Sequence, residues 1–142
     1  MITYSLNKSD FISISEHLYR MDSFFVPKLS SYVSIDIYAE KLANKAERFE
    51  AFHSNKLIGL IAGYYNDEKK SFYISNFSIE KEFQGQGVSS SLFNQITENF
   101  KSLKDISLEV KKVNTKAIEF YKKIGFVETK EALDILILLY KI

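Results

Sequence analysis

Two stretches of this 142-residue chain combine residue types and spacings that could do chemistry. The first is SFYISNFSIEKEFQGQGVSSSLF, residues 71–93. A strand-like run ends near Ile79, a short turn carries the charges of Glu80, Lys81 and Glu82, and Gly85 and Gly87 lead into an apolar helix. Glycines there let the backbone come close to a ligand, while the unpaired amides of the helix's first turn point at it and the helix dipole favours negative charge. A phosphate or pyrophosphate is the natural guest. Ser89, Ser90 and Ser91 can add hydroxyl donors or simply cap the helix. The plainer alternative is a strand-to-helix turn. Neither the GxGxxG dinucleotide fingerprint nor the Lys-Ser/Thr of a nucleoside triphosphatase is present, so the loop alone does not identify a cofactor.

The second stretch is LEVKKVNTKAIEFYKKIGF, residues 108–126. A strand ends at Val110, Asn114 stands as N-cap of a helix bearing Ala117, Ile118 and Tyr121, and Gly125 stops that helix before Phe126 turns back towards a sheet. On helix physics alone Ala117, Ile118, Phe120 and Ile124 are core and Tyr121 is an amphipathic residue at its edge. Its phenol is also a proton donor that chemistry could use.

The elements that must position these residues alternate in type. A short strand over Ile2–Leu6 precedes a helix capped by Ser9 or Asp10, with Phe11, Ile14, Leu18 and Met21 along one side. After a loop around Phe24, Phe25 and Pro27, a second helix is predicted from Ser34 to Asn44, with Ile37, Tyr38, Lys41 and Leu42 at helical spacing. Arg48–His53, Leu57–Tyr65 and Phe72–Ile79 then read as a three-strand antiparallel meander with turns at Ser54-Asn55 and Asn66-Asp67. A helix over Val88–Phe100, a strand over Ile106–Val110, a helix over Thr115–Ile124 and strands at Phe126-Val127 and Ile135–Tyr140 complete the chain. The run ILILLY suits a strand covered on both faces. The sum is one α/β domain over residues 1–142, a mixed sheet with helices on both sides.

Composition removes other functions. With 46% hydrophobic and 26% charged residues the chain is an ordinary globular one, and a formal net charge of +1 leaves no whole-chain basic footprint for nucleic acid. The absence of cysteine removes disulfides, thiolate nucleophiles and Cys-ligated zinc. The two histidines, His17 and His53, form no two-His helical metal motif, and each reads as a surface or strand residue; no metal is expected. No apolar run approaches the ~18 residues of a membrane span and the N-terminus lacks a signal peptide's apolar stretch, so the expected location is cytoplasmic, away from membranes.

Taken together, the two stretches resemble the GNAT superfamily of N-acetyltransferases. Its acetyl-CoA motif, Gln/Arg-x-x-Gly-x-Gly/Ala, is matched by Gln84, Gly85, Gln86, Gly87, Val88 and Ser89. The later family pattern is matched by Asn114, Ala117-Ile118, Tyr121 and Gly125-Phe126. Order, separation and element sequence agree over nearly the whole chain.

The resemblance implies a mostly antiparallel mixed sheet holding acetyl-CoA in a gap between two splayed strands. It implies that the backbone of Phe77, Ser78 and Ile79 flanks the acetyl-pantetheine arm, that amides from Gly85 to Ser90 cradle the pyrophosphate, that Asn114 meets the pantetheine, and that Tyr121 protonates the departing thiolate. An amine would then attack the thioester directly, its oxyanion stabilised by backbone N–H groups, with no covalent enzyme intermediate. Three positions depart from the family pattern: Ser89 replaces a smaller residue, Gln84 stands where arginine is frequent, and Ser75 lacks the carboxylate many members carry. The general base is therefore open between Glu80, Glu109 and a water chain, and the plain reading of each glutamate is a solvated or paired carboxylate.

Family acceptors bind at the two early helices and their loop. Here Phe24, Phe25, Lys28, Tyr32 and Tyr38 either close the core or wall an acceptor pocket, and no acidic run is present to draw a polybasic peptide. The expected acceptor is the primary amine of a small molecule such as an amino sugar or amino acid. A non-catalytic CoA or acyl-CoA sensor is the alternative. Family members are often dimers, and Ile135–Tyr140 could pair across a homodimer interface or finish the sheet.

Overall fold

A computed structural model describes all residues from Met1 to Ile142. Its strands are β1 (Ile2–Leu6), β2 (Glu47–His53), β3 (Lys56–Asn66), β4 (Ser71–Ile79), β5 (Asp105–Lys111), β6 (Val127–Glu131) and β7 (Ile135–Lys141). The helices are α1 (Phe11–Met21), α2 (Ile35–Lys45), α3 (Val88–Asn99) and α4 (Thr115–Ile124). None is long and apolar enough to cross a membrane. The strands form one sheet in the order β1-β2-β3-β4-β5-β7-β6, in which only β4 and β5 run parallel.

Local signals start the helices where the sequence predicts. The Asp10 carboxylate accepts from Ser13 N at 2.8 Å, the Ser34 hydroxyl from Ile37 N, and the Asn114 side chain from Ala117 N, each filling an amide the helix cannot. The sheet has a core on each face. On one, Phe49, Phe72, Ile106 and Leu138 pack with Leu92 and Ile96 of α3. On the other, Leu57, Leu60 and Ala62 meet Ile14 and Leu18 of α1 and Ala39 and Leu42 of α2.

Three expectations are corrected. Phe11 and Ile37 are 39% and 71% exposed, because the faces that meet the sheet are set by Ile14, Leu18 and Met21 on α1 and by Ile35, Ala39 and Leu42 on α2. The strand predicted at Phe126-Val127 starts at Val127 and runs to Glu131, wholly exposed. In β7 only Leu136 and Leu138 are fully buried, so ILILLY is covered on one face and half-covered on the other. β7 is also hydrogen-bonded to β5 and β6 on its two sides. It neither ends the sheet nor has an edge to offer a second copy; β6 is the outer strand.

A buried polar network fixes the edge of the sheet to α1 and α2. Arg48 donates to the carbonyls of Leu42, Ala43 and Ala46, which end α2, and to Ser9. Glu50, fully buried, accepts from Ser5 Oγ and from the Lys8 and Ser9 amides at 2.8 Å, and from the Ser9 hydroxyl. Such charges are tolerated in a core only when their hydrogen bonds are complete, as here.

Candidate active site

The site begins where two parallel strands part. β4 pairs with β5 only from Ser71 to Ile74, opposite Asp105 to Leu108; beyond that the strands diverge. A register shift against β3, between Ala62 and Gly63, inserts Ser75 as an extra residue in β4 and turns the strand away. Gly63 is required beside it, since a Cβ there would stand 2.1 Å from the Tyr73 carbonyl oxygen. Tyr38 of α2 holds the bulge from the other side, its hydroxyl 2.7 Å from Ser75 Oγ and donating to the Ser75 carbonyl at 3.1 Å. From Ser75 to Ile79 the β5-facing backbone of β4 therefore has no strand partner. The gap opens into a cavity of about 690 Å³.

One end of the cavity is the glycine loop. Gly85 and Gly87 adopt φ of +78° and +81°, and a Cβ at either would meet nothing within 4 Å. The loop thus uses glycine for its backbone conformation, and the space beside it is open. Gly87 is the N-cap of α3 and supplies no side-chain cap, so the amides of Val88, Ser89 and Ser90 have no partner from the helix. The Gln84 side chain lines this end and is tied down: its amide donates to Ile79 O at 2.9 Å and holds the loop to the end of β4. Gln86 similarly donates to Glu82 O. The Val88 side chain lies in the core, leaving only its backbone for a ligand. A phosphate-bearing group fits this open, donor-rich cradle.

Across the gap, α4 presents Asn114 and Tyr121. Asn114 lines the cavity while its Oδ1 caps the helix at 3.2 Å, leaving the amide NH₂ to donate elsewhere. The Tyr121 ring lies among Phe77, Phe120 and Phe126, with centroids 6.0, 5.4 and 5.4 Å away. Burial alone pushes its phenol well above the usual tyrosine value, since no protein group hydrogen-bonds the hydroxyl. It stays protonated across the physiological range.

At the cavity's other end Phe24, Phe25, Tyr32 and Tyr38 stand with Phe120 as aromatic walls. Phe24 and Tyr32 are 54% and 55% exposed, which favours the wall reading over core closure for these two, while Phe25 and Tyr38 also pack on the α1–α2 core. Lys28 lies outside the lining. Glu109 lines the mouth and is solvated.

Glu80 faces α1 instead. Its carboxylate accepts from His17 Nδ1 at 2.8 Å and from Arg20 Nε at 3.1 Å, and His17 Nε2 is 2.8 Å from Ser78 Oγ, which donates to Asn76 Oδ1 at 2.8 Å. His17 is fully buried, not the surface or strand residue its sequence context suggested. Its position on the inward stripe of α1, with Ile14, Leu18 and Met21, was the available signal. Burial lowers the His17 pKa, partly opposed by the Glu80 carboxylate. Burial also pushes Glu80 upward, but the His17 and Arg20 hydrogen bonds outweigh it and hold its pKa low.

Both shifts act on stability in acid. Unfolded His17 takes its proton near about pH 6.5 while the folded one resists, so its contribution is full above that pH and declines as pH falls towards the folded value. Glu80 adds a loss below about pH 4.3. The melting temperature, followed by circular dichroism, should begin to fall below about pH 6.5, and His17→Gln should flatten that first decline. An equal slope in the variant would show that His17 is not buried neutral.

Of the residues the sequence singles out, Phe77, Ser78, Ile79, Gln84, Gly85, Ser89, Asn114 and Tyr121 line the one cavity. Gln86, Gly87, Val88 and Ser90 lie beside it on the same loop and helix start. Asn76 and His17 were missed, because nothing in the sequence pairs α1 with the end of β4.

The sequence profile of the Acetyltransferase (GNAT) family matches residues 13–126. The chain belongs to this family, and its fold is the GNAT fold. Among solved structures, the PaiA N-acetyltransferase of Thermoplasma acidophilum, in complex with coenzyme A, aligns with TM-score 0.77 at 14% identity over 99% of both chains. A GNAT-family acetyltransferase of Staphylococcus aureus Mu50 aligns with TM-score 0.78 at 15% identity, again over 99% of both. The ribosomal-protein-S18-alanine N-acetyltransferase of Escherichia coli aligns with TM-score 0.71 at 17% identity, over 100% of this chain and 94% of the other. No curated protein matches the sequence.

Proposed function

We propose that residues 1–142 act as one acetyl-CoA-dependent N-acetyltransferase domain that acylates the primary amine of a small molecule. The observation that carries this reading is a single cavity running from the open glycine loop, through the gap between β4 and β5, to aromatic walls. The Thermoplasma relative binds coenzyme A on the same fold, which supports the co-substrate. When bound, acetyl-CoA supplies an activated acetyl group as a thioester. The amides from Gly85 to Ser90 would hold its pyrophosphate, the freed backbone of Phe77 to Ile79 and the Asn114 amide would orient the pantetheine arm, and the Tyr121 hydroxyl would meet the sulfur. Backbone N–H groups left unpaired in β4 are suited to a developing oxyanion.

The acceptor end favours an amine on an apolar or flat body, which the aromatic walls can stack, with solvated Glu109 at the mouth to attract the ammonium. The E. coli relative's acceptor is a protein alanine, so the fold by itself does not choose the acceptor.

Thermal denaturation with acetyl-CoA, followed by CoA release over 2-phenylethylamine, glucosamine and phenylalanine, tests the reading. At one hundred times the dissociation constant, binding adds about 2.7 kcal/mol and a matching rise in melting temperature. Stabilisation with no CoA release from any amine would point to the acyl-CoA sensor. No stabilisation would reduce the glycine loop to a turn.

A further inference from the structure

The catalysed reaction needs a base, and neither glutamate is placed to be one directly. Glu109 is solvated at the mouth, and Glu80 does not line the cavity. Ser78 does line it, and behind it His17 Nε2 lies 2.8 Å from Ser78 Oγ while His17 Nδ1 donates to the Glu80 carboxylate at 2.8 Å. We propose that Ser78, His17 and Glu80 form the proton path that deprotonates the acceptor amine, with Ser78 as the group that meets the amine and His17 and Glu80 as positioning residues behind it. This rests on the acetyltransferase reading above.

Counting donors gives the row room for one proton. The Glu80 carboxylate accepts from Nδ1, leaving Nε2 of a neutral His17 as an acceptor. Ser78 then has one hydroxyl proton between two acceptors, Nε2 and Asn76 Oδ1, each 2.8 Å away. One of them is left unfilled. Adding a proton at Nε2 completes the set: Nε2–H donates to Ser78 Oγ, and the hydroxyl turns to Asn76. Burial keeps His17 neutral until such a proton arrives, while Glu80 steadies the imidazolium once it has formed. The charged groups facing His17 are Glu80 from beyond β4 and Arg20 from α1; from β3 only the Leu57 backbone approaches.

The proton balance is complete. The Ser78 hydroxyl turns from Asn76 to Nε2 and passes its proton there as the ammonium passes one to Ser78 Oγ. The imidazolium, steadied by Glu80, holds that proton through the attack and returns it through Ser78 to water once the product has left, which restores the bare Nε2. The freed amine lone pair forms the carbon–nitrogen bond. The carbon–sulfur bond breaks with its electron pair on sulfur, and sulfur takes its proton from Tyr121. The nitrogen's second proton restores the Tyr121 hydroxyl.

Two measurements decide it. In the intact protein labelled with ¹⁵N-histidine, with His53→Gln to assign the two rings, His17 should be neutral at about pH 8 with the proton on Nδ1. A bare Nδ1 with Nε2 protonated, or an imidazolium persisting to about pH 9, overturns the path whether or not any amine is acetylated. With the best acceptor of the amine panel, His17→Gln and Ser78→Ala should each lower kcat about 10- to 100-fold with little change in the KM for acetyl-CoA, and both should acquire a rate that climbs with pH as hydroxide replaces the relay. Because the groups act in series, the double variant should lose no more than the worse single one. Losses that multiply, or an unchanged pH profile, would make the cluster structural. Failure of every amine with the expected tautomer in place would overturn the acetyltransferase reading instead.

Discussion

Replacing Gly87 with valine should abolish acetyl-CoA binding while leaving a folded protein. The residue sits at φ +81° as the N-cap of α3, and its missing Cβ leaves open space where the pyrophosphate would lie. Valine fills that space and, being β-branched, resists the left-handed backbone, at a cost of roughly 1–2 kcal/mol. Relief of that strain would re-aim the amides of Val88 to Ser90, so the donors and the space are lost together. A hundredfold or greater loss of affinity, about 2.7 kcal/mol, is expected by calorimetry, with the circular dichroism spectrum unchanged. Unaltered affinity in a folded variant would remove the loop from the site. Gly85→Ala would be mild at an ordinary φ, but at +78° it is strained too and should weaken binding by a smaller factor.

Tyr121→Phe separates an enzyme from a binder. The variant keeps the ring contacts with Phe77, Phe120 and Phe126 and deletes only the hydroxyl proton. That hydroxyl makes no hydrogen bond to protein, so melting temperature and acetyl-CoA affinity should barely change. Burial holds the phenol's proton tightly, which makes it a weak acid in the resting site. The same burial raises the cost of a bare thiolate beside it, narrowing the gap between donor and leaving group. General-acid catalysis typically contributes 10²- to 10⁴-fold, and with water as a partial substitute turnover should fall about tenfold or more. Full turnover on the true acceptor would make Tyr121 a packing residue. Much weaker acetyl-CoA binding would make it a cofactor contact.

Much of this site is legible in the sequence because its signals are local. Gly85 and Gly87 between a strand and an apolar helix, Asn114 capping a helix, and Tyr121 four residues before Gly125 each express a preference set within a few neighbours: φ, an orphan amide, a helical turn. Chain order then gave the meander, since connections of two and four residues leave antiparallel pairing as the short route. The family pattern rests on these same local positions.

What tertiary structure decided is non-local. The extra residue at Ser75 exists only in the register of β4 against β3, with Gly63 and Tyr38 brought from elsewhere in the chain to hold it. Glu80 reads in sequence as a solvated or paired carboxylate whose partner is not identified, and the fold pairs it to residues sixty or more positions away on α1. His17 reads in sequence as a surface or strand residue and Arg48 and Glu50 only as strand positions, until the sheet and two helices enclose all three and supply hydrogen-bond partners. Hydrophobic period tells which residues turn inward, but not which polar groups meet there. That depends on how elements far apart in the chain are packed, and a buried polar group persists only when its partners arrive with it.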